Sequence, residues 1–136
     1  MAEYIESRQR LERGPDAALL SLRAWQVAGY FVLGGKPGYE GPTIEAPLDR
    51  NQRTLGALEL AVRYNELSID GAAFPVYADP NKVARRASAV GLVANWHWNR
   101  IIRLSLMFER TWFKGGAPQG NRPPENVLLQ MIQAAF

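Results

Sequence analysis

The sequence predicts an all-β fold, an antiparallel up-and-down meander of about six strands. Apolar side chains alternate with a period of two residues in most apolar segments, and this period is typical of strands. The nine prolines fall into four clusters with most of the glycines, and proline is rare inside central strands. Apolar-rich segments of about 10 to 15 residues separate these clusters. Each segment is therefore predicted to be one strand, and the longest to be two.

The first predicted strand is poorly patterned, so its register stays open. In the second, the odd positions from Trp25 to Leu33 are mostly apolar, and in the third the even positions from Leu58 to Tyr64 are apolar. The fourth and fifth flank the polar pair at 99–100, which is typical of a short hairpin turn. The predicted strands span residues 2–10, 21–33, 55–70, 86–98, 101–113 and 125–136.

Composition excludes several classes of protein. A chain of 136 residues with 47% hydrophobic and 21% charged residues has the size and make-up of one globular domain. It has no cysteine and one histidine, so we expect neither a disulfide framework nor a metal site. No nucleophile–base pair, paired carboxylates or phosphate-binding glycine loop occurs, so neither an enzyme nor a cofactor is expected. The net charge of +3 favours anionic partners without indicating nucleic acid.

Alternating strands fit two environments. In a soluble sandwich or small barrel the apolar face points into a core, whereas in an outer-membrane barrel it faces lipid. The four tryptophans favour the membrane, because they lie on the apolar face near strand ends, as in the aromatic girdles at two membrane interfaces. The alternative is that they are large core aromatics. These residues are Trp25, Trp96, Trp98 and Trp112.

The last segment, NVLLQMIQAAF, predicts a strand that finishes on Phe136. Outer-membrane barrels commonly finish in such a strand, and the insertion machinery reads it as an assembly signal. In these barrels short periplasmic turns alternate with longer external loops. If the last strand runs into the periplasm, this alternation makes 99–100 a periplasmic turn and predicts external loops at 11–20, 71–85 and 114–124. It also makes 34–54 periplasmic, although this connection is too long for a turn of that kind.

Four segments resemble the C-terminal part of the phosphate- and pyrophosphate-selective porin family, porin O and P. They are AWQVAGYFVLGG, GALELAVRYNELSIDGAAFPVYADP, VGLVANWHWNRIIRLSLMFERTWFKGG and NRPPENVLLQMIQAAF. The resemblance covers nearly the whole chain and is least specific in residues 1–20. That family has the same long proline- and glycine-rich connection at the place of 34–54, which accounts for its length.

The resemblance implies a trimeric, 16-stranded β-barrel channel of the bacterial outer membrane that passes phosphate-type anions by passive diffusion. This chain would form its last six strands, a partial barrel in which residue 1 is an interior point of a longer chain. Arginines and lysines along the lumen give the family its selectivity, and inward-folded loops form much of the constriction. One lumen position carries over, since Arg103 in NRIIRLSL matches a basic residue of the penultimate strand. A guanidinium binds two phosphate oxygens side by side, whereas an ammonium acts as a point charge.

Arg103 and Arg63 are therefore the candidate anion-binding residues. Basic side chains along a polar wall raise the local anion concentration by focusing the field. The alternative is that each arginine pairs across strands with Glu59 or Glu109 and only fixes the register. The basic residues Lys36, Arg50 and Arg53 flank the long connection and are interpreted as a solvated loop, and His97 as a residue of the membrane interface.

Two further functions fit the same pattern. A soluble β-barrel or β-sandwich would bind a ligand in its apolar core. A fragment with only a structural or assembly role would keep the insertion signal and form no pore of its own. Dependence on detergent separates the soluble protein from the other two.

Overall fold

The computed structural model describes residues 1–38 and 41–135, so Phe136, the predicted assembly signal, lies outside the described residues. The elements in chain order are β1 (Ala2–Arg13), β2 (Asp16–Leu33), β3 (Gly35–Lys36), β4 (Thr43–Ile44), β5 (Ala57–Ile69), the 3-10 helix η1 (Gly71–Ala73), β6 (Ala84–His97), β7 (Ile102–Ala117), β8 (Gly120–Asn121) and β9 (Glu125–Ala134). Within the described ranges, no helix is long and apolar enough to cross a membrane.

The six long strands form one antiparallel sheet in meander order, which confirms the predicted fold class. The order is β1-β2-β5-β6-β7, and β7 pairs in addition with β8 and β9. The sheet is not closed. The two short strands β3 and β4 form a separate hairpin inside the long connection between β2 and β5.

The sheet residues divide into two compact units. The first unit contains residues 1–27, 63–90 and 110–126. The second contains residues 28–62 and 91–109 and those from 127 onward. Each long strand except β1 contributes residues to both units.

The prediction of a long connection over 11–20 is wrong. β1 and β2 pair continuously from Ala2 with Val27 to Arg13 with Asp16, so a two-residue turn joins them. Gly14 has φ +62°, the positive value that a two-residue hairpin turn requires at its first central position. The Gly-Pro pair therefore forms a tight turn, and the strands continue to it on both sides.

The predicted connection over 114–124 is also largely wrong, because β7 continues to Ala117 and pairs there with β8. Gly115 and Gly116 both have φ +84°. Glycine adopts this conformation without the steric penalty of a side chain, so the strand changes its course there and goes on. Glycines that suggested a loop in the sequence are thus part of the strand.

The two faces of the sheet carry different side chains, as the alternation predicts. In the first unit, Tyr4 pairs with Trp25 in the register, and the Trp25 ring lies 5.1 Å from that of Tyr64. In the second unit, a cavity of about 500 Å³ is lined by Phe31, Leu60, Leu92 and other apolar residues. We call this side the apolar face; it holds the odd positions of β2 and the even positions of the other long strands. The opposite side is the polar face.

The described residues include no large buried core. The apolar residues that are buried are Leu20, Val32, Ala57, Ala73 and Ala89. None is aromatic, and three are alanine. A soluble domain of this length buries far more apolar surface, and most of it comes from large side chains.

Strand β9 is apolar on both sides. Val127, Leu129 and Met131 occupy one face, and Leu128 and Ile132 occupy the other. All five are between 43% and 72% exposed. β9 pairs with β7 in the sheet.

Candidate functional site

Arg103 lies on the polar face of the second unit, one residue after the start of β7. Two cavities meet at its side chain. The smaller, of about 280 Å³, is lined by His97, Arg103 and Gln133 and by Gly41, Pro42 and Ile44 of the long connection, among others. The larger, of about 510 Å³, is lined by Ala28, Gly29, Tyr30, Gly38, Gly41, Glu59, Ala61 and Arg103. Part of the long connection therefore lies beside the polar face at Arg103.

The turn between β6 and β7 fixes where Arg103 stands. The Asn99 carboxamide oxygen accepts hydrogen bonds from the backbone N–H groups of Ile101 and Ile102, both at 2.8 Å. The Trp98 N–H donates to the Ile102 carbonyl at 3.0 Å. Asparagine is favoured in turns because its side chain replaces backbone partners in this way. The predicted turn at 99–100 thus sets the start of β7 and the position of Arg103.

Arg103 and Glu59 each bind a neutral partner. The Arg103 Nη2 donates to the Gln133 side-chain oxygen at 2.5 Å. The Asn95 side-chain N–H donates to a Glu59 carboxylate oxygen at 2.7 Å. An amide partner orients a guanidinium without neutralising it. Arg103 is thus positioned by a hydrogen bond from β9, and its charge faces the cavities.

Three further polar atoms around this site are shielded from solvent. Arg103 Nε, Ser105 Oγ and His97 Nε2 have no hydrogen-bond partner within the described part of the chain. Unsatisfied shielded donors are unfavourable. Atoms shielded in this way are not open to a dissolved ligand in the described arrangement.

The second candidate, Arg63, lies on the polar face but belongs to the first unit. The described contacts therefore do not bring it together with Arg103. Sequence patterns also missed Gln133, because only the pairing of β7 with β9 places it beside Arg103. His97, interpreted from the sequence as an interface residue, lines the same cavity as Arg103.

The predicted interfacial tryptophans lie on the apolar side, two in each unit. In the first unit Trp25 contacts Tyr64, and the Arg110 guanidinium lies 5.4 Å from the Trp112 ring centre. In the second unit the Trp96 Nε1 donates to the Leu55 carbonyl at 2.7 Å, and its ring meets Trp98 edge-on at 5.5 Å. Trp96 and Trp98 lie at the end of β6, whereas Trp112 lies inside β7 and Trp25 lies at the centre of β2, because β2 already begins at Asp16. The predicted position of Trp25 near a strand end is therefore wrong.

The connection between β5 and β6 is held in the first unit by Asp70. Its carboxylate accepts hydrogen bonds from the Ala72 N–H at 3.0 Å and from the Ser21 hydroxyl at 3.2 Å. The Ser21 N–H donates to it as well, at 3.4 Å. The backbone hydrogen bond from Ala72, followed by that from Ser21, lowers the pKa of Asp70 below its ordinary value.

We expect the connection after Asp70 to loosen in acid. A lowered pKa means that the ionised carboxylate stabilises the folded loop at pH values above the ordinary aspartate pKa of about 3.9. This stabilisation is lost as the pH falls through the lower value of the folded state. The protection factor of the Ala72 amide, which compares its exchange rate with the intrinsic rate at the same pH, should therefore fall on acidification. The Asp70→Asn variant should exchange faster already at neutral pH, and equal exchange in both proteins would contradict this role of Asp70.

No family model matches the sequence, and neither a curated protein nor a solved structure matches it. The porin resemblance therefore stays a prediction, carried by the four quoted segments alone.

Proposed function

We propose that this chain forms part of the wall of a bacterial outer-membrane channel for passive diffusion of phosphate-type anions. Its apolar face contacts the lipid bilayer and its polar face lines the lumen. Inorganic phosphate or a similar anion is the solute, the insertion machinery of the outer membrane is the assembly partner, and the complete barrel is a homotrimer. Strands beyond the six described ones close the barrel, since the smallest single-chain barrels have about eight.

The observation that carries the proposal is the exposure of the apolar face. On the apolar face of the second unit Phe31, Leu92 and Leu106 are 61%, 50% and 47% exposed. Full burial of such a side chain contributes about 1.5–3 kcal/mol in water. An apolar face that stays exposed in water lacks this stabilisation at every such side chain, whereas the hydrocarbon of a bilayer solvates the same face favourably.

The polar face supports an anionic solute. Arg103 lies beside two cavities and donates to the neutral Gln133, while Glu59, which lines the larger cavity, accepts from the neutral Asn95. Two unit charges about 4 Å apart attract by about 4 kcal/mol at an effective dielectric constant of about 20. Water in the lumen screens much of this attraction. The remaining interaction is strong enough to favour entry of anions and weak enough to permit their exit.

A pair of arginine substitutions on neighbouring residues tests which face contacts lipid. Leu106 lies on the apolar face and Met107 on the polar face of β7. In Leu106→Arg the charge would enter the bilayer, at a cost of about 2–4 kcal/mol near the midplane. We therefore expect at least a tenfold loss of folded protein that floats with phosphatidylcholine vesicles for this variant. Met107→Arg is the matched control and should insert nearly as well as the unmodified protein.

Equal insertion of both variants would contradict the assignment of the faces. A monodisperse chain in buffer without detergent or vesicles would overturn the membrane proposal itself and favour the soluble alternative. A chain that inserts but whose complete barrel shows no anion preference would retain only the assembly role.

A further inference from the structure

Charged side chains follow the aromatic residues on the apolar face of the first unit. They lie at even positions of β1, β5, β6 and β7 and at an odd position of β2, and we call this group the charged belt. Its members are Glu6, Arg8, Arg23, Glu66, Arg86 and Lys114. On three strands a belt residue stands two positions from an aromatic residue of the same face, on the side nearer the connections of the first unit: Arg23 from Trp25, Glu66 from Tyr64 and Lys114 from Trp112.

The ion pairs of the belt leave its positive charges outermost. Glu6 pairs with Arg8 at 3.1 Å and with Arg23 at 3.3 Å. Glu66 pairs with Arg86 at 3.5 Å. The carboxylate side chains are 23% and 18% exposed, whereas the three arginine side chains are between 53% and 64% exposed.

The belt also carries an excess of positive charge. Three arginines, one lysine and two glutamates give it a net charge of +2. Lys114 is exposed and adds a point charge to the guanidinium groups of the belt.

We propose that the charged belt binds the phosphate groups of anionic lipid headgroups. This inference rests on the proposed function, because the aromatic residues mark the headgroup level only if the apolar face contacts lipid. Arginine binds phosphate through two parallel hydrogen bonds, and basic residues at a membrane surface each increase the affinity for anionic lipid about fivefold. The belt arginines face outward beside the bilayer, whereas Arg103 lies on the opposite face of the sheet.

The test compares lipid retention by the purified protein. The complete barrel that contains this chain is inserted into vesicles of phosphatidylcholine with a minor fraction of phosphatidylglycerol and is then extracted in non-ionic detergent. The retained lipids are quantified by native mass spectrometry. We expect phosphatidylglycerol to be enriched over its vesicle fraction. The double variant Arg86→Gln, Lys114→Gln should lose the enrichment at least tenfold.

The matched control is the double variant Arg85→Gln, Arg122→Gln, which removes the same charge from the same unit outside the belt. It should retain lipid as the unmodified protein does. Insertion into vesicles of pure phosphatidylcholine checks that each variant folds. The enrichment of phosphatidylglycerol by the unmodified protein tests the proposal even if a variant fails to fold. Loss of enrichment in the presence of inorganic phosphate at matched ionic strength would identify a site for free phosphate and overturn the lipid proposal.

The outcomes separate the two proposals. A protein that inserts into phosphatidylcholine but shows no enrichment of phosphatidylglycerol contradicts the lipid site and leaves the channel proposal intact. A protein that inserts into neither kind of vesicle overturns both.

Discussion

Arg103→Glu is expected to lower the permeability ratio of phosphate to potassium at least tenfold in a complete barrel that contains this sheet. The substitution replaces a positive charge by a negative one at the junction of the two polar-face cavities. Tenfold corresponds to about 1.4 kcal/mol, which is about a third of the attraction between unit charges at 4 Å and an effective dielectric constant of about 20. The prediction therefore holds even with strong screening by water. The reversal potential across a planar bilayer in a potassium phosphate gradient measures this ratio.

Two further substitutions show whether the effect belongs to the guanidinium. Arg103→Lys keeps the charge but loses the forked pair of donors, so we expect phosphate permeation to fall and chloride permeation to change little. Arg50→Glu makes the same charge reversal on an exposed residue of the long connection that lines neither cavity, and it should have a small effect. An unchanged anion preference in Arg103→Glu would remove Arg103 from the mechanism.

Gly56→Ala is expected to destabilise the second unit by about 3 kcal/mol. Gly56 has φ +74°, and a Cβ atom there would lie 2.1 Å from the His97 carbonyl oxygen. The positive φ costs a non-glycine residue about 1–2 kcal/mol, and overpacking against backbone adds about 1–3 kcal/mol. Because the clash pushes on the end of β6, the turn that positions Arg103 moves as well. Urea unfolding of the inserted protein measures the stability.

Two other glycines serve as controls for this substitution. Gly14 has φ +62° with open space around the Cβ position, so Gly14→Ala should show only the conformational cost. Gly29 has neither a positive φ nor a close neighbour, so Gly29→Ala should be nearly neutral. A Gly56→Ala protein as stable as Gly29→Ala would mean that the long connection does not pack against the β6–β7 turn as described.

The faces of the central strands could be predicted because alternation is a local property. The parity of β7 alone places Arg103 opposite Leu106, and the cavities on each side agree with this placement. The partner of Arg103 could not be predicted. Gln133 is thirty positions away, and its place depends on the register between β7 and β9, which no local pattern encodes.

The errors have a common physical origin. Glycine next to proline suggested connections at 11–20 and 114–124, yet in the structure Gly14 forms a two-residue turn, and Gly116 lies inside β7 and pairs with Asn121. A glycine in the sequence shows that a positive φ is possible at that position. It does not show whether a strand ends there. The neighbouring strand decides that, through pairing that is not local in sequence.

Strand β9 also has a consequence for how the chain behaves in water. From Val127 to Ala134 it has no charge and no proline, and apart from Gln130 and Gln133 its side chains are apolar on both faces. A segment of this composition with an unpaired edge is a template for amyloid-like pairing between chains. In water the chain should therefore aggregate in proportion to its concentration, nucleated at β9. Under the proposed function, insertion into the membrane then competes with fibril formation, and a chaperone that covers β9 would favour insertion.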